Sequence, residues 1–171
     1  MLDALCPAAL IRALDRSEYR IYVTFRMNKM LKSEQDNPAM ADLAYRVSPL
    51  LTNDELNALL AAAWDDHTWQ DFQLVLNRSL AFVCAYHEEQ LVGFVNLAWD
   101  GGEHAFILDT LVHPEFRRRG IGRELVRRAV AEAAGRGLKW VHVDFEPHLQ
   151  KFYDECGFRS TAAGLIRLEN R

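Results

Sequence analysis

The sequence predicts a mixed α/β fold in which a central mixed sheet carries helices on both faces. Short runs rich in apolar, β-prone residues predict strands, and stretches with an apolar residue every three or four positions predict helices. The two kinds of segment follow one another along the chain, in the expected order β-α-α-β-β-β-α-β-α-β. A length of 171 residues is enough for one compact domain with a single core.

The beginning of the chain differs from the rest. Residues 1–39 contain a partly helical stretch followed by Ser33–Pro38, a run of residues that interrupts regular structure. We therefore expect an N-terminal extension over residues 1–39 and the main domain over residues 40–171.

The main domain is divided into strands and helices by its apolar periodicity and its turn residues. The long central helix should join its two flanking strands as a right-handed crossover, so that these strands run parallel. The expected elements are a strand Leu43–Val47, a helix capped by Thr52 or Asn53, a helix Asp71–Asn77, strands Leu80–Tyr86, Leu91–Trp99 and Ala105–Val112, a helix with Leu125, Val126 and Ala129 on its apolar stripe, a strand Trp140–Phe145, a helix from Pro147 to Gly157, and a closing strand or hairpin.

The charge of the chain is unevenly distributed. The formal net charge of −4 makes nucleic acid a poor partner, but residues 117–139 carry eight basic side chains and only two acidic ones. One basic island on an acidic protein predicts a local anionic ligand. Arg127 and Arg128 are expected on a solvated helix face, where Glu124 can pair with either of them.

Cysteine and histidine usage excludes several other classes. The three cysteines form no C-x-x-C pair, and an odd number does not suggest a disulfide framework, so a reducing, cytoplasmic location is expected. No apolar run approaches 18 residues, so no membrane partner is expected. The histidines lack metal-ligand spacing, so no metal is expected.

The segment Arg117-Arg118-Arg119-Gly120-Ile121-Gly122 follows a predicted buried strand and opens a predicted helix. Glycines allow the backbone to turn tightly there, and the free N–H groups of a first helical turn favour an anion. Arginines add charge-assisted hydrogen bonds. The segment therefore predicts a phosphate site, although it lacks the third glycine of a dinucleotide-binding fingerprint.

This segment resembles the signature Q/R-x-x-G-x-G/A of the GNAT superfamily of N-acetyltransferases, with which it agrees at every defined position. About 30 residues later, the run from Phe152 to Phe158 is similar to the family's F-Y-x-x-x-G-F motif. The resemblance extends over roughly Leu43–Leu168. It implies a GNAT-like fold and acetyl transfer from acetyl-coenzyme A to an amine, by direct attack within a ternary complex.

The resemblance also implies roles for individual residues. Backbone N–H groups from Arg118 to Arg123 would hold the pyrophosphate, Leu111 and Val112 would pair with pantetheine, and Tyr153 would protonate the departing thiolate. The coenzyme-binding residues implied in this way are Leu111, Val112, Arg117, Arg118, Arg119, Gly120, Ile121, Gly122 and Arg123. From the residues alone, Tyr153 also fits a core position, because it shares an apolar stripe with its helix neighbours.

The sequence departs from the family pattern at two positions that bear on catalysis. Many relatives have a glutamate where this chain has Phe106, and an asparagine where it has Glu146. The base must therefore come from elsewhere, or the amine must arrive neutral. Asp109 lies in an otherwise apolar strand, where a carboxylate needs a partner or a function, and it is the second candidate catalytic residue.

The acceptor is less well defined by the sequence. The connection Trp64–Asp71 offers aromatic and acidic side chains that suit a cationic amine, although a polar loop anchored by two tryptophans explains it equally well. A metabolite, an antibiotic, a protein N-terminus or a lysine all remain open as acceptors. A noncatalytic acyl-coenzyme A sensor is the alternative function, and a homodimer is left open.

Overall fold

The structure is a computed structural model, and it describes residues 42–168. The expected extension over residues 1–39 lies outside the described residues. Within residues 42–168, no helix is both long and apolar enough to cross a membrane.

The described chain alternates strands and helices in nearly the expected order. The elements are β1 (Leu43–Val47), α1 (Asn53–Ala63), α2 (Gln73–Leu76), β2 (Ala81–His87), β3 (Gln90–Trp99), β4 (His104–Val112), a 3-10 turn (Pro114–Phe116), α3 (Ile121–Gly135), β5 (Trp140–Val143), a second 3-10 turn (Pro147–Leu149) and α4 (Gln150–Glu155). The mixed α/β fold that the sequence predicts is confirmed.

The five strands form one sheet in the spatial order β1-β2-β3-β4-β5. The first four pair antiparallel, and β4 and β5 pair parallel, as expected for strands joined by the long helix α3. The parallel pairing is short, because it joins only His104–Ile107 of β4 to β5.

Several elements are shorter than the periodicity predicts. The second helix begins only at Gln73, whose N–H donates to the Asp71 carboxylate at 3.0 Å, so Asp71 lies before the helix rather than in it. The strand β5 ends at Val143, two residues earlier than expected.

The expected closing strand is absent from residues 158–168. The large apolar side chains near the end of this segment are almost fully exposed, at 81% for Leu165 and 89% for Ile166 and Leu168. Without burial of these side chains, a strand gains little stability from its apolar residues, and the prediction of a strand here is wrong for the described chain.

The helix α1 is fixed at its start by a capping box. The Glu55 N–H donates to the Thr52 hydroxyl at 3.2 Å, and the Thr52 N–H donates to the Glu55 carboxylate at 2.9 Å. Of the two expected caps, Thr52 is the one found. The helix then buries its apolar side against one face of the sheet, where Leu56 and Leu59 pack with Phe94.

The helix α3 covers the opposite face of the sheet and packs unusually close to it at its first turn. Leu125 and Ile121 pack there against β3 at Gly93. A Cβ atom at Gly93 would lie 2.9 Å from Leu125 Cδ1 and 3.0 Å from Ile121 Cγ2, so a side chain would push the helix outward. Glycine therefore sets the height of the α3 N-terminus above the sheet.

A buried carboxylate lies on the same helix. Glu124 is 4% exposed, and its oxygens accept hydrogen bonds from Arg127 at 2.5 and 2.6 Å and from Arg128 at 2.5 Å. Arg128 also lies 4.7 Å from the centre of the Tyr45 ring. The expected pairing is present, but the expected solvated face is wrong for Arg127, whose side chain is only 13% exposed.

The pKa of Glu124 reflects two opposing effects, its burial and its two arginine partners. Burial alone would raise it, but the hydrogen bonds and positive charges of Arg127 and Arg128 outweigh burial and hold the pKa below its ordinary value of 4.5. A carboxylate with a lowered native pKa stabilises the fold above its unfolded pKa, and this contribution is lost as the pH falls through the native pKa.

We therefore predict that Glu124→Gln lowers the free energy of unfolding at pH 7 by about 3 kcal/mol, because it leaves two arginines without their buried partner. The difference from the wild type should shrink as the pH falls below 4.5 and through the lowered native pKa of Glu124, because the carboxylate then takes up a proton. Urea unfolding at pH 7 and at a series of acidic pH values measures both effects.

Glu132→Gln is the matched control, since Glu132 lies on the same helix but pairs with Arg136 at 3.5 Å with both side chains partly exposed. Its effect should stay below about 1 kcal/mol. An equal loss in the two variants would contradict a special role for the Glu124 cluster.

Candidate active site

A β-bulge interrupts the pairing of β3 and β4. Phe94 pairs with Leu111 and Asn96 with Leu108, so the two residues Asp109 and Thr110 lie opposite the single residue Val95. Asp109 has φ +51°, a left-handed conformation that costs a residue with a side chain about 1–3 kcal/mol. Backbone strain of this kind is concentrated at functional sites.

The bulge opens onto a cavity of about 390 Å³ between the sheet and the connection from α1 to α2. Asp109 of β4 and Asn96 of β3 line it, together with five residues of the predicted acceptor loop. These are Trp64, Asp66, His67, Thr68 and Gln70. The structure thus brings Asp109 and the Trp64–Asp71 connection to one cavity.

Asp109 is only partly withdrawn from water. Solvent still reaches the residue, yet the protein atoms packed around it exclude part of its hydration. This partial burial raises the pKa of the carboxyl above its ordinary value of 3.8, and no cation is among the causes that oppose the rise. A carboxylate with a raised pKa is a better proton acceptor.

The loop that walls the cavity is held by Asn57 of α1, which is 6% exposed. Its amide donates to the carbonyl of Gln70 at 2.8 Å and to that of Asn53 at 2.7 Å, and its oxygen accepts from the Gln70 N–H at 2.9 Å. The same oxygen lies 2.8 Å from Nε2 of His67. Three of these hydrogen bonds hold the loop to one buried side chain, and the fourth, to Asn53, holds that side chain to α1.

Asn96 is a second residue that the sequence analysis did not single out. It is 1% exposed, and its carbonyl oxygen is buried without a hydrogen-bond partner in the described chain. The available signal was a lone amide within the strand Leu91–Trp99, whose other residues are otherwise apolar or glycine. Buried polar groups without a partner are rare in proteins, so this one needs an explanation.

The predicted phosphate site lies at the N-terminus of α3. Gly120 is the N-cap residue with φ +86°, and Arg118 also has a positive φ, +66°. Ile121 is buried and anchors the first turn, and a Cβ atom at Gly122 would lie 3.4 Å from the Phe152 ring. The N–H groups of this first turn have no acceptor within the helix.

Three of the arginines that precede and follow this turn are bound to the protein through their side chains. Arg117 Nε donates to the Val112 carbonyl at 3.1 Å, and Arg119 donates to the Glu115 carbonyl at 3.1 Å. Arg123 forms an ion pair with Glu155 of α4. These contacts order the turn, so its backbone N–H groups and its dipole are the groups left to bind an anion.

The strand β4 leaves an open backbone edge beside this turn. Leu111 and Val112 pair with β3 on one side, but β5 pairs only with residues before Leu108 on the other. Among residues 42–168, no strand occupies that second side of β4 between Leu108 and Val112. An extended ligand can form strand-like hydrogen bonds there.

Tyr153 is buried at 5% exposure, with its ring stacked on Phe145 at 4.7 Å and edge-on to Phe158 at 5.7 Å. Burial raises the pKa of the hydroxyl above 10.0, and the nearby Thr110 hydroxyl acts in the opposite direction. The Thr110 hydroxyl makes no hydrogen bond of normal geometry in the described chain, so it lies close to the Tyr153 hydroxyl without forming a regular hydrogen bond. Tyr153 does not line the cavity. Its hydroxyl lies near Thr110, which is one of the two bulged residues.

Two neighbouring histidines, His104 and His142, do not line the cavity. His142 stacks on Phe106 at 5.0 Å and approaches His104, with its Nε2 2.8 Å from the other ring's Nδ1. The position at which many relatives have a glutamate thus carries Phe106, an aromatic side chain that stacks on His142. Within residues 42–168, no group of three or more histidine, cysteine or acidic side chains is arranged to hold a metal ion.

Comparison with known proteins defines the family. The family model described as acetyltransferase (GNAT) family matches residues 44–158, and the chain therefore belongs to the GNAT acetyltransferase family. GCN5-related N-acetyltransferase 1, chloroplastic, of Arabidopsis thaliana is 26% identical over 136 residues, which are 78% of this chain and 69% of the relative. Mycothiol acetyltransferase of Mycobacterium ulcerans is 39% identical over 56 residues, 33% of this chain but only 18% of the relative.

Solved structures have the same fold. An acetyltransferase of Trypanosoma brucei is similar over 75% of this chain and 100% of its own, with a TM-score of 0.62 at 22% identity. The aminoglycoside acetyltransferase AAC(6')-Iy, bound to the bisubstrate analogue CoA-S-monomethyl-acetylneamine, is similar over 75% of this chain and 99% of its own, with a TM-score of 0.60 at 18% identity.

Proposed function

We propose that the protein transfers the acetyl group of acetyl-coenzyme A to a primary amine within a ternary complex. The observation that carries this proposal is the β4 bulge, which lies between a cavity on one side and the buried Tyr153 hydroxyl on the other. Family membership supports acetyl transfer, and the bulge supports the proposal of a reaction site near Asp109 and Tyr153.

The α3 N-terminus suits the coenzyme pyrophosphate. The free N–H groups from Arg118 to Arg123 and the positive end of the helix dipole favour two negative phosphates. The open edge of β4 at Leu111 and Val112 suits the extended, amide-containing pantetheine arm. In the solved AAC(6')-Iy complex a coenzyme A derivative is bound on the same fold, which supports this assignment.

Asp109 is the proposed base, since Phe106 cannot take this role. Its carboxylate takes a proton from the ammonium group of the acceptor, and the neutral nitrogen then attacks the thioester carbonyl carbon. A β4 backbone N–H near Val112 stabilises the negative oxygen that forms. The C–S bond breaks as the C–N bond is completed, and Tyr153 gives its proton to the departing thiolate. The second proton of the acetylated nitrogen passes through solvent to the Tyr153 oxygen and restores it, and the proton held by Asp109 is released to solvent.

A thiol-release assay with acetyl-coenzyme A and a panel of amines tests this proposal. Release that depends on the amine, together with an acetylated product of the expected mass, supports transfer. Tight binding of acetyl-coenzyme A without turnover of any amine would contradict it in favour of a noncatalytic acyl-coenzyme A sensor.

Gly120→Val should abolish measurable binding of coenzyme A in calorimetry, because a side chain would block the approach of the pyrophosphate to the backbone. A branched residue at a positive φ also costs stability, about 1–2 kcal/mol or more. Binding must therefore be read on protein that thermal unfolding shows to be folded.

Gly137→Val separates the two effects, since Gly137 has φ +81°, lies just beyond the other end of α3, and has open space around it. This control should lose similar stability while coenzyme affinity stays within about twofold. Equal loss of affinity in both variants would place the pyrophosphate elsewhere.

Tyr153→Phe should lower kcat by about 10²-fold or more and change the KM for acetyl-coenzyme A by only a few-fold, as expected when a general acid is removed. The ring and its stacking on Phe145 remain, so the melting temperature should change little. Tyr86→Phe is the control, because Tyr86 is an equally buried tyrosine that packs with Cys84 on the α1 side of the sheet. An unchanged rate for Tyr153→Phe would make this residue a packing residue only.

A further inference from the structure

The cavity beside the bulge contains one polar group whose bonding the protein does not complete. The Asn96 carbonyl oxygen is buried and lacks a hydrogen-bond partner in residues 42–168, although the residue lines the cavity. Leaving such an oxygen unpaired is costly, and proteins normally avoid it. A molecule in the cavity would complete the hydrogen bonding of Asn96 if its donor reaches this oxygen.

The position of Asn96 relates it to the proposed base. Asn96 pairs with Leu108 across the β3–β4 ladder, so it lies beside the residue that precedes Asp109. A carbonyl oxygen and a carboxylate both accept hydrogen bonds, whereas an ammonium group offers three N–H donors and no acceptor. Asn96 and Asp109 together therefore offer the hydrogen-bond acceptors that the reacting amino group of an acceptor substrate requires.

The rest of the cavity favours a carbon body on that amine. Its walls include Leu56 and Leu60 of α1, Phe72 just before α2, and Phe94 of the sheet. His67 lines it too, but its Nε2 is already bonded to Asn57, and Gln70 is bonded to Asn57 through its backbone. A volume of about 390 Å³ is near the small end of ligand pockets, so a compact molecule fits and a folded polypeptide surface does not.

We propose that the acceptor is a small primary amine with an apolar body, and that Asn96 selects it by accepting a hydrogen bond from the amino group beside Asp109. This proposal rests on the proposed acetyl transfer. An aminosugar or a peptide N-terminus would place some of its hydroxyl or amide groups against the leucine and phenylalanine walls, which offer no hydrogen-bond partners, whereas Asp66 and Thr68 could bond groups on the loop side of the cavity.

The experiment compares kcat/KM for hexylamine, hexane-1,6-diamine, glucosamine and a glycyl tripeptide in the thiol-release assay. Hexylamine should be preferred over glucosamine and the tripeptide by about tenfold or more. The diamine tests whether Asp66, the other carboxylate of the cavity, recruits a second cation. A preference for the diamine, the aminosugar or the tripeptide would overturn the proposal while leaving acetyl transfer intact.

Asn96→Leu tests the residue itself, because leucine keeps the size and removes the amide. The kcat/KM for hexylamine should fall about tenfold or more, with the KM for acetyl-coenzyme A unchanged and a melting temperature at least equal to the wild type. Asn77→Leu, at an exposed position after α2, should leave all three unchanged. An Asn96→Leu protein with wild-type kcat/KM would overturn the role of Asn96, and a wild type inactive with every amine would overturn acetyl transfer as well.

Discussion

The pairing of two residues of β4 with one residue of β3 is the constraint on which the rest of the site depends. A regular ladder would continue the alternation of side chains and leave Asp109 in an ordinary strand conformation. The bulge instead gives Asp109 a left-handed backbone and puts its carboxylate at a cavity, while Thr110 approaches Tyr153. One local irregularity thus relates the proposed base to the proposed acid.

The surrounding fold supports this irregularity from both faces of the sheet. On one face, Asn57 holds the loop that closes the cavity, so the space opposite Asp109 has a fixed wall. On the other face, Gly93 lets the first turn of α3 approach the sheet closely, and the N-terminus of α3 comes to lie beside the open edge of β4. The two proposed substrates would therefore meet at the bulge from opposite sides.

Much of this arrangement was predictable because it is encoded locally. The run from Arg117 to Gly122 predicts a tight turn and a helix start, and the positive φ of Gly120 agrees with that reading. The capping box at Thr52 and the nearly continuous apolar, β-prone runs of β2 and β3 are equally local signals. The parallel pairing of β4 and β5 follows from the single helix between them.

The errors and omissions concern features that depend on contacts between distant residues. The burial of Arg127 depends on its surroundings in the folded chain, which the helical pattern of charges does not record. The bulge is a mismatch between two strands, so Asp109 stood out only as a carboxylate in an apolar run. Asn96 and Asn57 are single amides, and only the fold shows that one is unpaired and the other forms four hydrogen bonds.

The most direct test of this account is the titration of the Asp109 carboxyl, followed by carbon-13 NMR and assigned with an Asp109→Asn variant. A carboxylate that the bulge places in a partly desolvated cavity without a neighbouring cation should titrate above the ordinary value of 3.8. A midpoint at or below 3.8 would contradict the account, because it would place Asp109 in open water or against a positive charge. In either case Asp109 would lack the environment of the proposed base.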